Sequence, residues 1–392
     1  MTIKKFIERK FPLFYFYLKR IINPVRKRKI KNYFKTQHSK NALLSYITKP
    51  FRKGEYFTHT NYFEAMSHAK ILNELGYNVD VIDYDYHGEI DFSKYDLLVG
   101  FGDVFQKYFE SSKKKIKTIY YGTGMHVCHQ NHATLKRLKD VYLKKGLWLG
   151  NSTRYVEKCW THQTYLVDAI IVLGNEVCVE SYKKFYDGKI FNVPVPFYKV
   201  IDTWKLLKEN NLGKSFIWFG GSGLIHKGLD LVLDFFSKNP DLKLHVCGPI
   251  KNEPDFERVY WKELYDTSNI ITHGFIDIKA EKFKEILKDC SFIIFPSCSE
   301  GGCASVITLI GNGGLIPLIT KETTVSTDYE IWIEDFTVEA IGKAVKKALL
   351  LSDKEILELR IKNLEYVLKN HTTKVYYRKL KEAYIDILGK IR

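Results

Sequence analysis

The side chains whose types and spacing could do chemistry are concentrated in residues 296–303, Pro-Ser-Cys-Ser-Glu-Gly-Gly-Cys, where Glu300 and the pair Gly301, Gly302 stand between two apolar runs. Cys290 to Phe295 is short and bounded, as a strand buried on both faces is, and Ala304 to Ile310 has helical character. The glycines therefore open a helix. Free N–H groups and the positive end of the helix dipole attract phosphate oxygens there, and the absent side chains let a ligand approach the backbone. Glu300 beside them can accept hydrogen bonds from hydroxyls. A carboxylate next to an anion cradle suits a ligand with an anionic half and a polyol half, a description that fits a nucleotide sugar better than a simple nucleotide. Lys227 offers matching chemistry from another loop, since it closes a glycine-rich turn (Phe219 to Gly228) that includes Gly221 and Ser222 and begins a helix. A helix N-terminus disfavours a cation, so an ammonium there reads as a partner for pyrophosphate and for charge growing on a leaving nucleotide. An ordinary exposed lysine is the plainer alternative.

Two α/β halves must position these groups. In the first, Gly54 to His59 reads as a strand, Tyr62 to Leu75 as a helix with Asn61 and Glu64 in a capping-box pattern and Gly76 ending it, and Asn78 to Tyr84 as a second strand. Further strands are expected at Leu97 to Phe101, Ile116 to Tyr121, Ala169 to Leu173 and Ile190 to Val193. The pattern breaks at Pro194 and Pro196, and a polar stretch continues to about Gly213. The second half reads as strands at Ser215 to Phe219, Lys243 to Cys247, Asn269 to Phe275, Cys290 to Phe295 and Leu315 to Ile319, with helices at Leu229 to Phe236, Glu281 to Leu287 and after Gly302. Three more helices follow, around 338–351, 353–369 and 373–389. Alternation of this kind argues for parallel sheets covered by helices on both faces.

With 392 residues and 45% hydrophobic content the chain can bury more than one core. The formal charge of +16 resembles that of a nucleic-acid binder until it is located. Residues 1–50 hold 14 Lys or Arg against one acid, Glu8, and so carry +13 of it. This arm mixes cations with an apolar, aromatic run from Phe11 to Leu18 that is too short to span a membrane, so a peripheral hold on an anionic bilayer is expected, with a basic helix packed on the body as the alternative. No nucleic-acid partner is expected. Seven cysteines in odd number and without a Cys-x-x-Cys pair point to a reduced, cytoplasmic compartment. Cys303 at a helix N-terminus would have a lowered thiol pKa, but no His-Asn pattern supports a nucleophile. The spacing of His126, His129 and His132 invites a zinc reading that lacks a fourth ligand, and Asp83-Tyr84-Asp85 reads as a solvated strand end, so no metal is expected.

Taken together, Phe-Gly-Gly-Ser-Gly-Leu-Ile-His-Lys-Gly (219–228), Thr-His-Gly-Phe-Ile (272–276) and the Pro-Ser-Cys-Ser-Glu-Gly segment resemble the family 4 glycosyltransferases of the GT-B fold. So do His-Thr-Asn-Tyr-Phe-Glu (59–64), Leu-Asn-Glu-Leu-Gly-Tyr-Asn-Val-Asp-Val-Ile-Asp (72–83) and Tyr-Gly-Thr-Gly-Met-His (121–126), which mark a bacterial surface-polysaccharide branch. The resemblance covers about residue 51 to the C-terminus. It implies two doubly wound, Rossmann-like domains facing a cleft: an acceptor-side domain over 51–197, a linker over 198–213, a nucleotide-sugar domain over 214–372, and a last helix, 373–392, that crosses back. The activity it implies is retaining transfer of a hexose-type sugar from a nucleotide diphosphate to a hydroxyl of a glycan or lipid-linked acceptor. No cofactor beyond the donor is implied, and the expected location is the inner face of the plasma membrane.

Carried over residue by residue, Glu300 resembles the first Glu of the family's Glu-x7-Glu motif, which faces the donor sugar, and Thr308 stands where the second, ribose-binding Glu is usual. Lys227 resembles the diphosphate-binding Lys, but the Arg usual five residues earlier is Ser222. Gly274, Phe275 and Ile276 fall where the family's backbone meets the base. His126, after Thr123 and Gly124, would contact the donor sugar or orient the acceptor, with a structural strand-end histidine as the alternative. His59, Thr60 and Asn61 would line the other cleft wall while capping a helix. A nucleotide-sugar epimerase or hydrolase on the same plan, and a non-enzymatic basic adaptor, stay open at this point.

Overall fold

The computed structural model describes residues 29–53, 59–111, 114–156, 163–209 and 214–389. Twelve strands are described: β1 (Lys40–Tyr46), β2 (Tyr77–Asp83), β3 (Leu97–Gly100), β4 (Lys117–Gly122), β5 (Ala169–Leu173), β6 (Lys189–Val193), β7 (Ser215–Phe219), β8 (Leu244–Cys247), β9 (Ile270–Gly274), β10 (Cys290–Phe295), β11 (Ile316–Ile319) and β12 (Ile331–Trp332). They form two six-stranded parallel sheets, in the orders β2-β1-β3-β4-β5-β6 and β12-β11-β10-β7-β8-β9. Strands β3, β5, β8, β10 and β11 are buried along their whole length, which is why they read as continuous apolar runs and do not alternate. The principal crossover helices are α1 (Asn61–Glu74), α2 (Val127–Lys145), α3 (Leu229–Phe236) and α4 (Ala304–Gly313), followed by α5 (Val338–Leu349), α6 (Asp353–Asn370) and α7 (Thr373–Leu388).

Two compact units arise from the internal contacts, one built on the described parts of Met1–Tyr56 and Asn61–Tyr121, the other on those of Phe57–Thr60 and Gly122–Lys390. In the first, Glu64 of α1 is buried and its Oε2 accepts from the hydroxyls of Tyr46 (2.8 Å) and Tyr121 (3.0 Å). Asp83, half-buried at the end of β2, accepts from the Thr48 amide and hydroxyl, both at 2.8 Å. In the second unit the core lies on the β7–β10 pair, with Phe216 stacked on Phe292 and Trp218 on Phe295.

The N-terminal region needs correction. Ile30 bridges Val81, and Lys40–Tyr46 is an inner strand of the first sheet, so the basic arm ends well before residue 50. The lysines flanking Ala42-Leu43-Leu44 hid a short buried strand. The membrane reading falls on residues 1–28, which lie outside the described residues, as do Gly54 to Thr58 of the strand expected at Gly54 to His59. Within the expected linker, Thr203–Glu209 is a short helix whose Thr203 hydroxyl donates to the Gly311 carbonyl of α4 at 2.8 Å. The start of α7 is joined to the chain leaving β6, where the Phe197 amide donates to the His371 carbonyl at 3.3 Å.

Candidate functional site

Two loops of the second unit are bonded together at the ends of β7 and β10. The Cys298 amide donates to the His226 carbonyl at 2.9 Å, and His226 Nε2 donates to the Ser299 carbonyl at 2.5 Å. Burial lowers the His226 pKa to about 3, and nearby Arg154 pushes the same way, so this ring is neutral near pH 7. The turn before Lys227 is fixed from a third place: buried Glu253 accepts from the amides of Gly223 (2.5 Å) and Leu224 (3.0 Å). Gly228 has φ +69°, and a Cβ there would come within 2.4 Å of the Pro296 carbonyl oxygen. The indole N–H of Trp218 donates to the Lys227 carbonyl at 3.1 Å. Lys227 is thus held from both sides, with its ammonium 5.6 Å from the Phe295 ring centre.

That ammonium donates to Glu300 Oε1, which also accepts from the Ser297 hydroxyl at 3.0 Å. Arg154 Nη1 lies 3.5 Å from the other oxygen, Oε2. Burial alone would raise the Glu300 pKa, but the charges of Lys227 and then Arg154 outweigh it and hold the carboxyl at about 2. At neutral pH Glu300 is an acceptor of hydrogen bonds and not a general acid. With Lys227 and Arg154 on one carboxylate the cluster keeps a net positive charge. Lys227 and Glu300 are buried whereas Arg154 is half exposed, so one cation is fixed and the other reaches solvent.

The glycine pair has a structural role that the sequence reading gave to the ligand. A Cβ on Gly301 would sit 2.5 Å from the Thr123 carbonyl oxygen, and one on Gly302, at φ +69°, would sit 2.9 Å from Val195 Cβ. Close approach of the segments after β4 and β6 therefore demands both glycines. The Glu300 amide donates to the Glu322 carbonyl and that of Gly302 to Thr324 Oγ1 at 2.6 Å. The amides of Gly301, Cys303, Ala304 and Ser305 have no partner among the described residues. Cys303, at φ +31°, precedes α4 without a side-chain cap, a left-handed conformation uncommon outside glycine. The anion cradle is thus narrower than expected, and it lies at the uncapped start of α4. Burial pushes the Cys303 thiol up to about 12, opposite to the lowering expected from its helix position.

Other candidates fall elsewhere. His126 is fully buried: its ring stacks on Phe185 at 4.1 Å, Nδ1 accepts from the Cys128 amide as the cap of α2, and Nε2 donates to Thr164 Oγ1 at 3.0 Å. Burial, with His129 adding to it, lowers its pKa to about 4. Thr308 is buried in α4, Gly221 and Ser222 are exposed, and Gly274 ends β9 at φ +73° with open space around it, followed by exposed Phe275 and half-buried Ile276. His59 is exposed, Thr60 buried and Asn61 the first residue of α1. Among the described residues no cluster of His, Cys, Asp or Glu could hold a metal ion. Sequence reasoning missed Arg154 and Glu253, whose contacts with this site cross 146 and 30 positions and leave no local signal.

No protein-family model and no curated protein matches the chain in sequence. Solved structures match its fold. A sucrose-phosphate synthase from Thermosynechococcus elongatus is 11% identical, with 89% of this chain and 99% of that one covered and a TM-score of 0.62. A glycosyltransferase from Rickettsia africae is 15% identical over 90% of this chain and 100% of that one, at 0.56. Anabaena HepE, solved with UDP and glucose, is 10% identical over 88% and 99%, at 0.53. Identity at this level carries the fold alone: α/β, with two six-stranded parallel sheets, in the manner of GT-B glycosyltransferases.

Proposed function

We propose that the protein is a glycosyltransferase that takes a hexose-type sugar from a nucleotide diphosphate and transfers it, with retention, to a hydroxyl of a glycan or lipid-linked acceptor in cell-surface polysaccharide synthesis. The observation that carries this reading is the convergence of Lys227 and Arg154 on the Glu300 carboxylate beside the uncapped start of α4. In this reading the donor diphosphate takes over the two cations and the amides near Gly301 and Cys303, and it releases Glu300 to accept hydrogen bonds from the sugar hydroxyls. Lys227 then neutralises charge that grows on the departing phosphate, a contribution available where water is excluded. Arg154 takes the place in the clamp that Ser222 leaves without a cation. Gly274 to Ile276 would meet the base and Thr308 the ribose, with no cofactor or metal beyond the donor. Retention rests on the sequence resemblance to family 4 enzymes.

Division of the chain at 198–213 into acceptor-side and donor-side domains, ligand contact by His59, Thr60 and Asn61, and a cytoplasmic, peripheral membrane location through the basic N-terminus belong to the same proposal. UDP and glucose in the Anabaena structure lend support to a sugar nucleotide as donor. A thermal-shift screen against nucleotide sugars, followed by product analysis with and without acceptor, tests the reading. A stabilising nucleotide sugar that is converted only with acceptor present is expected. Conversion of the donor alone to an epimer, or no stabilisation by any nucleotide sugar, would contradict it.

A further inference from the structure

Helix α2 buries Thr134, Arg137, Leu138 and Val141 and turns another face outward. Leu135, Lys139, Tyr142 and Leu143 recur at helical spacing on that face, and all are exposed, Leu143 by 70%. Gly146, at φ +68°, ends the helix and carries the chain into Leu147 and Trp148, the latter 58% exposed with its ring 6.4 Å from that of Tyr142. Grouped exposure of this kind marks an interaction surface and differs from the scattered apolar residues of an ordinary protein surface.

Charge decides what the surface fits. Lys136 and Lys139 stand among the apolar side chains without an acidic partner among the described residues, and Asp140, the only acid of α2, is bonded to Arg137 at 3.1 Å. Lysine is depleted in the core of protein–protein interfaces. Tryptophan and tyrosine with interleaved lysine instead match the level of lipid headgroups, where the rings enter the interface and the cations meet anionic lipid. We propose that the outward face of α2, with Leu147 and Trp148, docks on an anionic bilayer surface, independently of residues 1–28.

Co-sedimentation of the full chain with vesicles of mixed phosphatidylglycerol and phosphatidylcholine tests this, with pure phosphatidylcholine vesicles as reference. The wild type should partition to the anionic vesicles, and Leu143→Glu combined with Trp148→Glu should lower the partition coefficient at least tenfold. Lys136→Glu with Lys139→Glu should weaken binding to the anionic vesicles alone, most at low salt. Because these side chains are exposed, each variant should keep the wild-type melting temperature. Residues 1–28 are present throughout and cancel in the comparison. Wild-type partition by Leu143→Glu/Trp148→Glu, or no wild-type binding to anionic vesicles, would overturn the inference. Unchanged partition together with loss of self-association by light scattering would assign the face to a second copy of the chain and overturn it equally.

Discussion

The turns after β4 and β10 make an instructive pair, because each carries a buried titratable group just before a helix and they spend it differently. His126 caps α2, stacks on Phe185 and has both ring nitrogens bonded. Glu300 leaves α4 uncapped, with Cys303 in a left-handed conformation, and faces two cations drawn from other loops. A turn that satisfies its own helix has completed its work in folding. One that leaves amides open and gathers opposed charges holds an arrangement that a ligand can exchange.

Changes at Glu300 and Lys227 should separate the two turns most sharply. Glu300→Gln and Lys227→Ala are each expected to lower sugar transfer at least tenfold, a loss of about 1.4 kcal/mol or more of transition-state stabilisation, read as kcat/KM. Lys227→Ala should also lower unfolding stability, because it leaves a buried carboxylate with half-exposed Arg154 as its remaining cation. Near-wild-type transfer by both variants would remove the distinction between the turns.

Gly301→Ala comes next. The added methyl would meet the Thr123 carbonyl oxygen at 2.5 Å, so a cost of about 1–3 kcal/mol is expected in denaturant unfolding. Gly221→Ala, with nothing within 4 Å of its Cβ, should stay within about 0.5 kcal/mol of wild type. Equal effects would show that backbone approach does not select the glycine pair.

His126→Asn should cost about 1–2 kcal/mol through the lost ring packing and Thr164 bond while an asparagine cap is retained, with transfer per folded molecule unchanged. A drop in kcat at full stability would return His126 to the chemistry.

The smallest effect is in the pH dependence. His126 is depressed to about 4, so the unfolded chain binds its proton first. Its contribution to stability is complete above about pH 6.5 and is lost as the pH falls towards 4. Glu300, depressed to about 2, contributes fully above about pH 4.5 and loses that contribution between there and pH 2. In unfolding curves, Glu300→Gln should lose less stability between about pH 4.5 and 2 than the wild type, and His126→Asn less between about pH 6.5 and 4, a window that buried His226 and His371 share.

Much of the scaffold was legible because its strands are buried on both faces. Ala169–Leu173, Ser215–Phe219 and Cys290–Phe295 stand at the bounds their apolar runs suggest, as does helix Leu229–Phe236. Strand β1 was not legible, since Lys40 and Lys49 on either side of it merged with the basic N-terminus. At the site, Lys227 and Glu300 could be read from the turns that present them, and they do meet. Arg154 could not, because nothing in its neighbours says that it reaches a carboxylate 146 positions away. The enclosure of His126 depends on Thr164 and Phe185, which close over it only in the folded unit.

If Lys227 and Arg154 share Glu300 because together they receive a diphosphate, their removal must weaken diphosphate binding and spare the rest of the nucleotide. Calorimetric titration of the wild type, Arg154→Ala, Lys227→Ala and the double variant, with a nucleoside diphosphate and with the matching nucleoside, reads this out. Each single variant should lose at least tenfold in affinity for the diphosphate, the double variant should lose more, and binding of the nucleoside should be unchanged. Equal affinity of all four proteins for the diphosphate would contradict the proposed clamp.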